Sequence, residues 1–198
     1  MLVLGLTGSA AMGKSTVSAM FAARGVAVFD ADRAVHALYR GAAAPAVEAA
    51  FPGTTADGVV DRDRLRARVL GDEPAMARLE AIVHPLVKRE EERFLREARA
   101  GGRQIALLDV PLLFETGAEG EVHALIVVSA PAEVQRARML KRPGMTPERL
   151  EAMLGRQMPD TEKRRRAHFV IDTADTLDAT RAQVDEILRA VAAMAAGT

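Results

Sequence analysis

The chain has 198 residues, with 27 Lys and Arg balanced by 27 Asp and Glu. Zero net charge excludes a surface given over wholly to nucleic acid, and 49% hydrophobic residues exclude a disordered chain. Cysteine is absent, which excludes disulfide frameworks, cysteine zinc sites and thiol catalysis. No apolar run approaches the ~20 residues of a membrane helix, and Met1–Gly5 lacks the basic segment of a signal peptide. A cytoplasmic protein is expected, with no membrane partner. With no Trp and one Tyr, stacking platforms for single-stranded nucleic acid are hard to build, so no nucleic-acid partner is expected.

In chain order, Leu2–Thr7 is a nearly continuous apolar run and reads as a buried parallel strand. A helix is predicted over Lys14–Arg24, with Val17, Met20 and Phe21 on one face and Gly25 as its stop. A second strand over Val26–Phe29 ends in Asp30-Ala31-Asp32, and a helix from about Arg33 to Arg40 follows. Pro45 opens a short helix to Ala50, and Pro52-Gly53 and Asp57-Gly58 are turn signals. Helices are predicted over Asp61–Leu70 and Pro74–Ala100, with a kink or restart at Pro85. Ile105–Val110 and His123–Ser129 read as strands, and Pro131 falls in the first turn of the next helix. Thr146-Pro147-Glu148 forms an N-cap, an N1 proline and an acidic first turn for a helix to Leu154. His168–Ile171 is the last strand. The final helix carries Val184, Ile187, Leu188, Val191 and Ala195 on one face. Five strands alternating with helices predict an α/β fold with helices on both faces of a parallel sheet.

Residues 8–15, Gly-Ser-Ala-Ala-Met-Gly-Lys-Ser, match G-x-x-x-x-G-K-[ST] between a strand and a helix. Glycines let successive amides turn inward as an anion nest, and the following helix adds its positive end. This predicts a nucleotide site formed by Gly8, Ala11, Met12, Gly13, Lys14, Ser15 and Thr16, with ATP as the ligand. Lys14 reaches the β- and γ-phosphates, Ser15 offers its hydroxyl to Mg²⁺, and Thr16 reaches the α-phosphate. Ala11 stands where many small-molecule kinases carry glycine.

Transfer to an alcohol needs a group that orients the hydroxyl and takes its proton. Asp30 and Asp32 end the second strand; in an extended segment both carboxylates fall on one side. One engages the acceptor while the other reaches Mg²⁺ through water. Alternatively, Asp32 is merely the cap of the next helix and Asp30 a turn residue. Asp109 closes its strand either as a water-mediated Mg²⁺ holder or as a turn carboxylate. Residues 136–166 hold ten basic residues, Arg156 among them, against four acidic ones. Such a segment can close on a polyphosphate as a lid, with Pro143-Gly144 as hinge. Arg138 and Arg142, four apart, fall on one face of a continuing helix. Lys163–Arg166 reads as a solvated basic run.

The segments Gly5–Gly8, Met12–Thr16, Phe29-Asp30-Ala31-Asp32, His84-Pro85-Leu86 and Asp109–Glu115 occur in an order that resembles the dephospho-CoA kinase family over nearly the whole chain. The resemblance implies an adenylate-kinase-like P-loop fold, three-layered around a five-stranded parallel sheet, in one kinase domain over 1–198. Its core would be 1–40, 101–135 and 167–198, its helical substrate-binding part about 41–100, and its lid about 136–166. It implies ATP-dependent phosphorylation of the 3′-hydroxyl of dephospho-CoA, giving CoA and ADP. Asp32 matches the general base and Asp30 its neighbour, while His84 and Pro111, Leu112, Leu113 and Glu115 match acceptor-site positions. Arg138 and Arg142 match lid arginines, Arg142 with Lys14 and Asp32 forming the catalytic set, and Gln157 matches a lid glutamine. Read from its own residues, His84 before a proline sits in an extended or turn conformation at a helix start, and part of 112–114 is core. The chain departs from the family pattern at Ala167-His168 and Asp172-Thr173. A monomer or weak homo-oligomer is expected. The residues leave open a kinase for another nucleoside or nucleotide, and a nucleotide-gated switch without catalysis.

Overall fold

The computed structural model describes residues 1–155 and 157–196. Arg156 and the side chain of Ala195, both named above, lie outside what is described. The elements run β1 (Leu2–Thr7), α1 (Lys14–Ala22), β2 (Ala27–Asp30), α2 (Ala31–Tyr39), α3 (Ala44–Ala50), β3 (Thr55–Ala56), β4 (Val59–Val60), α4 (Arg62–Val69) and α5 (Glu73–Ala100). They continue as β5 (Ile105–Asp109), β6 (Ala124–Ser129), α6 (Ala132–Leu140), α7 (Pro147–Leu154), α8 (Asp160–Arg166), β7 (Phe169–Asp172) and α9 (Leu177–Ala196). The chain divides into two compact units, residues 1–29 with 98–198, and residues 30–97.

The first unit is built on a five-stranded parallel sheet in the order β2-β5-β1-β6-β7. Its middle strand β1 pairs Gly5 with Leu108 on one side and Leu125 on the other. Every residue of β6 is buried, which is why this strand reads as an unbroken apolar run. Against the sheet, Val17, Met20 and Phe21 of α1 and Val184, Ile187 and Val191 of α9 close one core. Leu113, Phe114, Leu125 and Val127 form another. Arg24 donates to both carboxylate oxygens of Asp185 and to the Met20 carbonyl, fastening the end of α1 to α9.

Strands β2, β6 and β7 each start one residue later than predicted, the last two because the histidines before them make a different pairing. His123 donates its amide to the Val3 carbonyl (2.8 Å) and accepts the Val3 amide on Nδ1 (3.1 Å). His168 does the same with Leu125, at 3.0 and 3.1 Å. Pro131 is the N-cap of α6 rather than part of its first turn. The predicted Thr146 cap is present, its hydroxyl accepting from the Arg149 amide.

The second unit is helical, with a core of Leu38, Val47, Phe51, Leu65, Leu79 and Val83. Asp61 caps α4 through the amides of Asp63 and Arg64, and the Asp72 carboxylate accepts from the Ala75 amide. The turn at Asp57-Gly58 joins the two-residue strands β3 and β4, which are too short to leave a period in the sequence. Their hairpin is held by Glu48, whose carboxylate accepts from the Gly53 and Thr55 amides and the Thr55 hydroxyl. Helix α5 runs unbroken through Pro85, so the predicted restart does not occur. The apolar stripe on both sides of Pro85 outweighs the one backbone bond a proline removes. No described helix is long and apolar enough to cross a membrane.

Candidate functional site

The loop between β1 and α1 turns on two glycines. A Cβ on Gly8 would stand 2.6 Å from the Val128 carbonyl oxygen, so only glycine fits there. Gly13 has φ +92°, a left-handed geometry that glycine adopts without cost. Ala11 is also left-handed, at φ +60°, which costs an L-residue about 1–2 kcal/mol. Among the described residues, the amides of Ala11, Gly13, Lys14 and Ser15 donate to no protein acceptor. These are the donors a phosphate would take. The carbonyls on the opposite side are occupied: Ala10 accepts from Gln135 Nε2 (2.8 Å) and Met12 from the Thr173 hydroxyl (2.7 Å). Gln157 Oε1 accepts the Ala10 amide at 3.3 Å.

Lys14 opens α1, and its Nζ is ion-paired with the Asp109 carboxylate. Asp109 is 3% exposed and ends β5 opposite Leu6 in register. Ser15 and Thr16 are exposed in the first turn of α1. Ser15 and Asp109 offer the hard oxygens that suit Mg²⁺. Gly13, Thr16, Arg138, Thr173, Asp175, Leu177 and Thr180 line a cavity of about 280 Å³ beside the loop.

Arg138 lies on α6 and is held in place, donating to the hydroxyl and carbonyl of Thr173. Arg142 is exposed and lies beyond the end of α6 at Leu140, so the two arginines do not share one helix face. The Lys141 cap and Pro143 stop the predicted continuation. In the segment after β5, Pro111 accepts the Thr7 hydroxyl on its carbonyl and Leu112 is 43% exposed. Leu113 is 1% exposed and packs with Phe114, Leu125 and Val127.

Glu115 accepts the Met158 amide at 2.9 Å and lies 3.0 Å from Lys163 Nζ. Burial pushes the Glu115 carboxyl up, but the Met158 amide and the Lys163 ammonium outweigh it and hold the group below its ordinary value. Lys163 is fully buried, contrary to the solvated run expected of it, whereas Arg164, Arg165 and Arg166 are exposed. The pairing with Glu115, far away in sequence, draws Lys163 in.

The second unit corrects the reading of the acidic pair. Ala31 begins α2, so Asp30 and Asp32 do not alternate along an extended segment. Asp30 is the cap, accepting the Arg33 amide at 3.0 Å. Asp32 is the second helical residue and is exposed. It lines a cleft of about 410 Å³ with His36, Tyr39, Arg62, Arg66 and an apolar floor that includes Leu65 and Leu79. Burial pushes the Tyr39 phenol up against the opposing pull of Arg62. His84 is exposed in the interior of α5 rather than at a helix start, because the helix continues through Pro85.

Arg62, Arg66 and Tyr39 were not singled out in the sequence, although Arg62 and Arg66 stand four apart on α4. Gln135 left no signal, and Thr173 stood out only as a departure from the family pattern, since each acts through a main-chain atom far away in sequence.

Residues 2–179 match the family model described as dephospho-CoA kinase. The chain is 62% identical to a dephospho-CoA kinase of Mesorhizobium japonicum over 95% of each chain. A solved protein from Thermus thermophilus superimposes with a TM-score of 0.83 at 35% identity, over 98% of this chain and 97% of that one. The dephospho-CoA kinase from Campylobacter jejuni has the same fold, with a TM-score of 0.66 at 22% identity over 96% of each chain. Matched nearly end to end by sequence and by fold, this chain belongs to the dephospho-CoA kinase family.

Proposed function

We propose that the protein transfers the γ-phosphoryl group of ATP to the 3′-hydroxyl of dephospho-CoA, giving CoA and ADP. The observation that carries this reading is the phosphate loop, whose unpaired amides at Ala11, Gly13, Lys14 and Ser15 stand beside the Lys14 ammonium. Gly8 and Met12 shape the loop, and Thr16 adds a hydroxyl near the α-phosphate. Lys14 leaves Asp109 for the β- and γ-phosphates. Ser15, with Asp109, would hold Mg²⁺, which when bound neutralises charge on the phosphate oxygens.

Asp32 orients the acceptor hydroxyl and takes its proton, with Asp30 setting the start of α2. Arg62 and Arg66 supply cationic contacts for the acceptor's diphosphate, and the apolar floor of their cleft suits its pantetheine arm. His84, Pro111, Leu112 and Glu115 belong to the acceptor side. Arg138 and Arg142 stabilise the transferring group from a lid over about 136–166. The protein acts as a monomer or weak homo-oligomer.

ADP release is measured with dephospho-CoA, adenosine, AMP and shikimate as acceptors in turn. Turnover with dephospho-CoA far above the others is expected. Preference for another acceptor would assign a different small-molecule kinase, and slow hydrolysis indifferent to every acceptor would leave a nucleotide switch.

A further inference from the structure

A phosphate loop must present amides on one side, and its carbonyls then face the protein. Because the peptide unit is planar and trans, a carbonyl fixed in one direction sends the next residue's N–H in the opposite one. Two of the unpaired amides of this loop follow carbonyls held by neutral side chains. Gln135 Nε2 donates to the Ala10 carbonyl at 2.8 Å, so the Ala11 N–H points away from α6. The Thr173 hydroxyl donates to the Met12 carbonyl at 2.7 Å, so the Gly13 N–H points away from Thr173.

Both side chains are themselves fixed. Gln135 is 6% exposed and Thr173 7% exposed. Thr173 donates its amide to the Ser129 carbonyl (3.0 Å), and its hydroxyl accepts from Arg138 at 2.9 Å. A Cβ on Gly13 would come within 3.3 Å of the Thr173 side chain, so the contact leaves little slack. The peptide between Ala11 and Met12 differs: its carbonyl receives only a long bond from Arg138 at 3.5 Å, and its N–H turns to the Ser9 carbonyl at 3.2 Å. Of three consecutive peptides, the two whose amides are unpaired are the two whose carbonyls are held at 2.8 Å or less.

We infer that Gln135 and Thr173 are positioning residues that aim the Ala11 and Gly13 amides at the phosphates of ATP. They act through the Ala10 and Met12 carbonyls, holding peptide planes, one of which carries the strained left-handed Ala11. The inference rests on the loop's being the ATP site.

The test uses Gln135→Leu and Thr173→Val, which keep volume and remove the donor, with Thr173→Ser as the conservative variant. Dissociation constants for ATP and for tripolyphosphate, a probe without a base, are measured by displacement of a fluorescent nucleotide. KM for each substrate and kcat are measured alongside. Each donor-deleted variant is expected to weaken ATP and tripolyphosphate alike by about 10-fold, the scale of one hydrogen bond. KM for dephospho-CoA stays within about twofold, and Thr173→Ser stays within about threefold of wild type.

Wild-type affinity in both donor-deleted variants overturns the proposal. So does a loss of ATP affinity that tripolyphosphate does not share, since that places the effect on the base side. Should Thr173→Val fold poorly, seen as a collapsed melting temperature, Gln135→Leu on a separate helix decides the matter alone. A wild-type protein that binds neither probe would take down the ATP reading itself; one that binds both while its variants match it takes down only the brace.

Discussion

The phosphate loop and the cleft of the second unit present their polar groups in opposite ways. The loop offers main-chain amides, and its carbonyls are held from outside by Gln135 and Thr173. The cleft offers side chains, Asp32, Arg62 and Arg66, all exposed on the first turns and faces of helices. Main-chain donors cannot be mutated away and cannot change rotamer, so they suit a ligand part that never varies, a polyphosphate. Side chains on helix faces can be exchanged one at a time, and they suit a part that must be told from its analogues.

Substitutions that strike only one of the two regions would sharpen this contrast. The largest effect is expected from Lys14→Ala, which removes the one mobile charge of the loop and lowers kcat by about 10³-fold or more. A rate within about tenfold of wild type would break the loop's assigned role. Next, Asp32→Asn is expected to lower kcat by about 10²–10⁴-fold while the dissociation constant for ATP stays unchanged. An equal loss of ATP binding would show that Asp32 does not belong to the acceptor side alone. Arg66→Ala should raise KM for dephospho-CoA by about tenfold and leave KM for ATP alone, as steady-state kinetics with each substrate varied would reveal.

The smallest effect concerns Glu115. Its carboxyl lies below the ordinary 4.5 in the folded chain, so the stabilisation is full above that value. It is lost as pH falls through the lowered folded value. Melting temperature followed from about pH 6 down to about pH 3 should therefore fall more steeply for wild type than for Glu115→Gln. Parallel curves would mean that the contacts with Met158 and Lys163 carry no pH-dependent stability.

Much of this was legible in the residues, for physical reasons that differ from place to place. The strands of the sheet showed because burial on both faces demands continuous apolar runs such as residues 124–128. The loop showed because its glycines answer to sterics, Gly8 against Val128 most directly. Strand periodicity places Asp30 and Asp32 on one side, yet the cap bond to Arg33 starts a helix one residue after Asp30 and takes Asp32 out of that geometry. Cap and strand end look alike in sequence, since Asp serves both. Lys163 looked solvated because its neighbours Arg164–Arg166 are, and its burial depends on Glu115, 48 positions earlier in the chain. The sequence suggests a restart at Pro85 because the penalty of one proline is local, while the packing that overrides it comes from elsewhere in the unit.

The two histidines ahead of β6 and β7 give the sheet an uneven character from one rim to the other. Each ring takes a neighbouring strand's amide hydrogen on Nδ1, so its own proton must sit on Nε2. The rim where β1 and β6 begin is thereby fastened by imidazoles that are open to solvent. A side chain at either position with no acceptor would leave a strand amide unmatched there, so the sheet would loosen from that end first.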